Sequence, residues 1–260
     1  MNKFARMIDV LDLFSESDTL LSAEEIAARL QISRPTAFRY VRELCRVGFL
    51  ANYSGHYSLG ARIITLDYRI RESDPLLKAS TEVMRRLAAE TACSAILCRI
   101  YNDEVINMHH EAGGYALSGV GFGRGRPMPL FRGSVSKVML AFMPAARLRK
   151  VYERHRDNPD LLAIAADWPS FKAYFSRIRQ VGHYLSCEEL DAGTCGLAAP
   201  IDVPGVGTIA AISLVFSAQR QALINIDGLA ALLKPRTVEI ANRLAELTGA
   251  APADETPDRQ

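Results

Sequence analysis

Ser33-Arg34-Pro35-Thr36-Ala37-Phe38-Arg39-Tyr40-Val41-Arg42-Glu43-Leu44 reads as a helix with two faces of opposite character. Ala37, Val41 and Leu44 recur at helical spacing on one side, with Tyr40 beside them. Pro35, Arg39, Arg42 and Arg46 fall roughly opposite. Pro35 suits the first turn, where its missing N–H is not needed. A short helix with an apolar back and an arginine-rich front has the shape and charge to enter a DNA major groove.

The flanking residues extend the pattern. Ser22-Ala23-Glu24-Glu25 has the form of a capping box, in which Ser22 caps the Glu25 N–H and Glu25 reaches back. Ile26, Ala27 and Leu30 then give an apolar stripe, and Gln31-Ile32-Ser33 is long enough only for a tight turn. Two helices so joined make a helix-turn-helix. Phe4, Met7, Ile8, Leu11 and Phe14 predict one amphipathic helix upstream. Phe49–Tyr53 and His56–Leu59 predict two strands around a Ser54-Gly55 turn, which makes a wing. Between residues 29 and 62, Arg29, Arg34, Arg39, Arg42, Arg46 and Arg62 face a single acid, Glu43. The whole chain is only +2, so this local patch, not bulk charge, is what a phosphate backbone would meet.

The sequence resembles the IclR family of bacterial transcription regulators. The resemblance is carried by Arg34-Pro35-Thr36-Ala37-Phe38-Arg39, Gly48-Phe49-Leu50 and Gly55-His56-Tyr57-Ser58-Leu59-Gly60. It continues through Gly125-Arg126-Pro127-Met128-Pro129-Leu130, Ser136-Lys137, Leu197-Ala198-Ala199-Pro200-Ile201 and Ala210-Ala211-Ile212-Ser213. In order and spacing these cover about residues 3–248. The resemblance implies an α+β protein: an N-terminal winged helix-turn-helix, a linker helix and a C-terminal GAF-like α/β effector-binding domain. The expected bounds are 1–60, 61–74 and 75–249, with a frayed tail at 250–260.

Composition agrees. The 260 residues suit one or two domains, and 49% are hydrophobic, enough for a real core. No run approaches the length of a membrane helix, and no signal peptide precedes the first helix, so no membrane partner and a cytoplasmic location are expected. Five cysteines form no CxxC pair, and an odd count without a disulfide framework fits a reducing compartment. Cys93 and Cys98 lie in an apolar segment and read as core.

Downstream, residues 75–87 predict a helix begun by Pro75. Strands are expected at Cys93–Tyr101, Glu104–His110, Tyr115–Phe122, Leu197–Ile201 and Thr208–Phe216. Helices are expected at Ser134–Phe142, Ala145–His155, Trp168–Val181 and Gln221–Leu247, the last kinked or broken at Pro235. Antiparallel strands with helices on one side would make this domain.

Several features imitate catalysis. Ser134-Val135-Ser136-Lys137 matches the S-x-x-K acylating motif, but its partner K-T-G is missing from the sequence. An acyl-transfer enzyme with an appended DNA-binding domain is therefore the alternative reading, and no catalytic residue is assigned. Gly119–Gly125 lacks the spacing of a nucleotide cradle. His109-His110-Glu111 is not a spaced metal set, and His183, Cys187 and Cys195 lack paired spacing, so neither metal nor cofactor is expected.

By position, the resemblance implies effector contacts from Ser134, Val135, Ser186, Gly196 and Ser213. One family pattern has an acid, a cysteine and a serine where Ser186, Gly196 and Val215 stand here. These departures predict a roomier, less polar site suited to an aromatic carboxylate, with Arg126 or His183 as its cationic partner. DNA contacts are expected from Arg34, Pro35, Thr36, Arg39, Arg42 and Arg46. Thus the sequence predicts a ligand-responsive regulator of a catabolic operon, a repressor in preference to an activator. Its expected partners are double-stranded operator DNA, a small-molecule effector and further copies of itself, as a homodimer or a dimer of dimers.

Overall fold

The computed structural model describes residues 3–101, 103–114 and 123–249. The chain divides into two compact units, Met1–Asp74 and Pro75–Gln260. The predicted strand at 115–122, the tail at 250–260 and the first part of the 119–125 glycine stretch lie outside the described residues.

The first unit begins with α1 (Lys3–Ile8) and a 3₁₀ turn at Leu11–Leu13. There follow β1 (Leu21–Ser22), α2 (Ala23–Arg29), α3 (Arg34–Arg46), β2 (Leu50–Tyr53), β3 (His56–Leu59) and α4 (Arg62–Ser73). The expected single helix from Phe4 to Phe14 is cut short at Ile8. Phe4 is 64% exposed and Val10 takes the buried place instead. With Phe4 and Ile8 exposed rather than buried in a core, little supports a longer helix. Val10, Leu21, Ile26, Ala37, Val41, Leu44 and Leu50 form the unit's core.

The capping box forms as the sequence requires. Glu25 N–H donates to Ser22 Oγ at 3.2 Å, and Ser22 N–H donates to Glu25 Oε2 at 2.7 Å. The hairpin turn places Ser54 at φ +52° and Gly55 at φ +90°, the left-handed pair that a two-residue turn demands. The wing gains a third strand that sequence pattern did not show: β1 pairs antiparallel with β3, Leu21 opposite Tyr57. Two residues are too few to display a period. Helix α4 buries none of its residues and exposes Ile64, Tyr68 and Ile70.

The second unit runs α5 (Pro75–Thr91), β4 (Ser94–Tyr101), β5 (Glu104–Glu111), β6 (Pro127–Met128), α6 (Ser134–Phe142), α7 (Ala145–Arg154) and α8 (Pro159–Ile164). It continues with α9 (Trp168–Val181), β7 (Tyr184–Cys187), β8 (Thr194–Val203), β9 (Gly207–Ser217), a 3₁₀ turn and α10 (Ile226–Thr248). Its six strands pair antiparallel in the order β6-β5-β4-β9-β8-β7.

Helices cover both faces of this sheet, not one as expected. Ala95 and Leu97 of β4 join a core with α5 and α10. Ile96 and Cys98 join a second core with α6, α7, α8 and α9. The reason is visible in β4: Ser94 to Cys98 are all buried, which a strand wet on one side would not allow. Helix α10 starts at Ile226, where the Asn225 side chain caps Gly228 N–H, rather than at Gln221. It passes Pro235 unbroken. The carbonyl that loses its donor belongs to Ala231, an exposed residue, so water can satisfy it.

Candidate functional site

In the first unit, α3 presents the predicted two faces. Ala37, Tyr40, Val41 and Leu44 are buried, whereas Arg34, Pro35, Arg39, Arg42 and Arg46 are exposed. Ser33 is the N-cap, and its hydroxyl lies 2.9 Å from that of Thr36. Thr36 is thus engaged at the helix start. Arg39 lies beside the Tyr40 ring, 5.6 Å from its centroid.

The arginine patch is smaller than the count of six suggested. Arg29 pairs with Asp18 at 2.6 Å, an acid outside the 29–62 window. Arg46 Nε donates to Glu43 at 2.9 Å. Arg62 donates to the Val47 carbonyl at 3.4 Å and lies over Phe49, which buttresses the turn into the wing. Arg34, Arg39 and Arg42 make no ion pair among the described residues and form the open cationic front. Phe38, 47% exposed between them, was missed by the sequence reading. An outward aromatic at a helical position that packing does not need was the available signal.

In the second unit, five residues singled out by position converge on one cavity. Ser134 and Val135 come from α6, Ser186 from β7, Gly196 from β8 and Ser213 from β9. It is a slot between α6 and the sheet, with ≈ 600 Å³ between the lining atoms, the mouth included.

Ser134 Oγ and Ser213 Oγ meet at 2.9 Å across Gly196. A Cβ at residue 196 would sit 2.8 Å from one hydroxyl and 2.9 Å from the other. The missing side chain is therefore spent on letting two serines approach. Asn107, Arg126, Glu189 and Asp191 line the slot beside Ile96 and Met128.

Of the two candidate cationic partners, only Arg126 lines the cavity, with Nη2 3.5 Å from Asp191 Oδ1. His183 is not among the lining residues, and burial, then the Lys234 charge, push its pKa down. It is a poor cation.

Lys137 resolves the S-x-x-K motif. Its side chain is 9% exposed and its Nζ lies 2.8 Å from Glu189 Oε2. It also donates to Tyr184 Oη at 3.2 Å. Tyr184 donates to Glu189 Oε1 at 3.0 Å and accepts from Tyr174 at 3.0 Å. Burial, then the Tyr174 hydrogen bond, hold the Tyr184 phenol well above its usual range. Gly133 N–H completes Glu189 at 2.9 Å. Lys137 is committed to Glu189, while the Ser134 hydroxyl turns to Ser213. Through Glu189 and the Gly133 N–H it accepts, the lysine braces the start of α6.

A correction concerns the cysteines. Cys187 and Cys195 are opposite residues of β7 and β8, with Cα atoms 4.0 Å apart, and are joined as a disulfide. The sequence showed no framework because β7 was not recognised as a strand. Two cysteines flanking Asp191-Ala192-Gly193 in a hairpin would meet, and that spacing was the signal. His109 pairs with Glu111 at 2.8 Å on one face of β5. Among the described residues no three of His, Cys, Asp and Glu cluster as a metal would need. No helix among them is long and apolar enough to cross a membrane.

A winged helix-turn-helix with an arginine front, followed in one chain by an α/β unit with a lined cavity, defines a class: transcription regulators with a helix-turn-helix head. The bacterial transcriptional regulator IclR C-terminal profile matches residues 70–241, and the IclR helix-turn-helix profile matches residues 5–52. The chain belongs to the IclR family of bacterial transcriptional regulators. It is 24% identical over 201 residues to the Pca regulon regulatory protein of Pseudomonas putida, covering 77% of this chain and 69% of that one. It is 24% identical over 244 residues to the p-hydroxybenzoate hydroxylase transcriptional activator of Acinetobacter baylyi, covering 92% and 90%. Among solved structures, an IclR homolog from Microbacterium hydrocarbonoxydans complexed with 4-hydroxybenzoate shares the fold. Its TM-score is 0.73 at 22% identity, covering 94% of this chain and 100% of that one.

Proposed function

We propose that this protein is a ligand-responsive DNA-binding regulator of a catabolic operon, and that its effector is a small aromatic carboxylate held in the slot of the second unit. The observation that carries this reading is the convergence of Ser134, Val135, Ser186, Gly196 and Ser213, from four elements, on one partly enclosed cavity. The paired Ser134 and Ser213 hydroxyls offer a donor and an acceptor to a polar ring substituent. Ile96, Met128, Val135 and Val215 flank a flat apolar body. Arg126 is the carboxylate's partner and exchanges its longer Asp191 contact for it. Glu189 does not oppose the ligand's charge, because Lys137 neutralises it. Two similar proteins support the choice of class: one bears p-hydroxybenzoate hydroxylase in its name, and one holds 4-hydroxybenzoate.

At the other end, Arg39 reads a base edge while Arg34, Pro35, Thr36, Arg42 and Arg46 fix α3 against the backbone of operator DNA. The functional bounds are 1–60 for DNA binding, 61–74 for the linker helix and 75–249 for sensing. One such head makes few contacts, so the acting species in the cytoplasm is a homodimer, or a pair of dimers, on half-sites about one helical turn apart. Repression relieved by ligand is the expected sign. The Acinetobacter relative is named an activator, so a reporter assay must decide it.

Calorimetry of 4-hydroxybenzoate with the full chain tests the site. Ser213→Ala removes one hydrogen bond, worth about 0.5–1.5 kcal/mol, and should weaken binding about two- to tenfold. Gly196→Leu fills the space between the two hydroxyls and should abolish it, leaving DNA binding intact. Wild-type affinity in Gly196→Leu would overturn the assignment.

A further inference from the structure

The segment between Cys187 and Cys195 forms one wall of the slot. Glu189, Leu190, Asp191 and Thr194 all line it. The segment is also tied to α6, since Glu189 accepts from Gly133 N–H and pairs with Lys137. Because Glu188 N–H donates to Thr194 O at 2.7 Å, residues 188 and 194 are a hydrogen-bonded pair. The next pair along, Cys187 and Cys195, is then of the closer, non-hydrogen-bonded kind, which brings the two Sγ atoms together.

We propose that Cys187 and Cys195 are a reversible thiol–disulfide pair that gates the cavity: the disulfide restrains the 188–194 wall and weakens ligand entry, and the dithiol frees it. The inference rests on the cavity's being the effector site. Three observations lead to it. A transcription regulator works where glutathione and thioredoxin keep thiols reduced, and there a disulfide is transient or sensing rather than structural. The pair is asymmetric: Cys187 is half-buried on an edge strand, while Cys195 is buried behind it. Glu189, Leu190, Asp191 and Thr194 line the slot, so the position of this segment sets the width open to a ring.

The chemistry needs a disulfide oxidant of low molecular weight. The Cys187 thiolate attacks one sulfur of glutathione disulfide, forming a mixed disulfide and releasing one glutathione thiolate. Cys195 then attacks the Cys187 sulfur, closing the intramolecular bond and releasing the second glutathione. The protein loses two electrons and two protons, and the oxidant gains both as two glutathione thiols. The remaining cysteines compete poorly. Burial raises the Cys45 and Cys93 thiols and pushes fully buried Cys98 up to about 12, so little thiolate is available there.

The test compares full-length wild type in reduced glutathione and in glutathione disulfide. Peptide mapping should show Cys187 linked to Cys195 in the second buffer only, reversibly. Hydrogen–deuterium exchange over 188–194 should be slower in the oxidised form. Calorimetry should show 4-hydroxybenzoate binding about tenfold more weakly to it, within the usual range for coupled sites. Cys187→Ser should behave as the reduced form in both buffers. A link that never forms, or one that glutathione cannot reduce, overturns the proposal, as does equal exchange in the two forms. If 4-hydroxybenzoate binds neither form, the aromatic reading of the slot fails. The exchange rates then decide the gate alone, slower when oxidised for it and equal against it.

Discussion

Lys137→Met is the most informative perturbation of the second unit. The native pair is nearly desolvated, with 9% of the lysine side chain and 23% of the Glu189 side chain exposed. Removing one member of a buried pair costs about 3–5 kcal/mol, because the other charge stays behind. Glu189 keeps Gly133 N–H and Tyr184 Oη, and is partly wet, so the lower end applies. About 3 kcal/mol corresponds to a fall of about 6–12 °C in Tm for a unit of this size. The double variant Lys137→Met/Glu189→Gln removes both charges and should recover most of that loss. Scanning calorimetry of the full chain reads both, from the transition of the larger unit. A single variant within about 1 kcal/mol of wild type, or a double variant as unstable as the single, would refute the argued geometry.

Other outcomes follow from the same structure. Arg39→Ala should weaken operator binding by about 1–3 kcal/mol with the fold intact by circular dichroism, and unchanged affinity would remove it from base readout. With Arg34, Arg42 and Arg46 of two heads on phosphates, log affinity should fall with log salt at a slope of about −5.4; a slope near zero would discard the electrostatic argument. Burial holds His110 and His183 below the ordinary histidine pKa of 6.5. The unfolded chain then binds more protons as pH falls through that value, so stability present above about pH 6.5 should decline on acidification. Asp167, its pKa lowered by Ser170, acts only below its ordinary 3.8, so the two windows separate. His183→Gln should flatten the upper part of the decline in thermal melts, and an unaltered profile would count against a neutral buried His183.

The first unit was legible because its signals are local. The Ser22–Glu25 box, Pro35 at a helix start, the Ser54-Gly55 turn and the stripe Ala37, Val41, Leu44 each lie within one or two turns of chain. What failed there was what a partner from elsewhere decides: Asp18 reaching Arg29, and β1 joining β3. The second unit was legible in its long elements and not in its short ones. Strand β7 has four residues without alternating burial, and α8 has six. Missing β7 hid the cysteine pair. The Lys137–Glu189 pair joins residues far apart in the chain and leaves no periodic trace. Position predicted which residues meet at the slot, whereas the way the Ser134 and Ser213 hydroxyls fill the space at Gly196 depends on rotamers that leave no trace in sequence.

The central claim is that filling the slot changes how the arginine helix holds DNA. Duplexes selected by the reduced full-length protein from a random-sequence pool supply the operator. Fluorescence anisotropy on that duplex, with and without saturating 4-hydroxybenzoate, measures the coupling directly. The expected result is a shift in DNA affinity of about 5–150-fold, matched by an equal shift in ligand affinity when DNA is saturating. A ligand that binds the slot by calorimetry yet leaves operator affinity unchanged would contradict it.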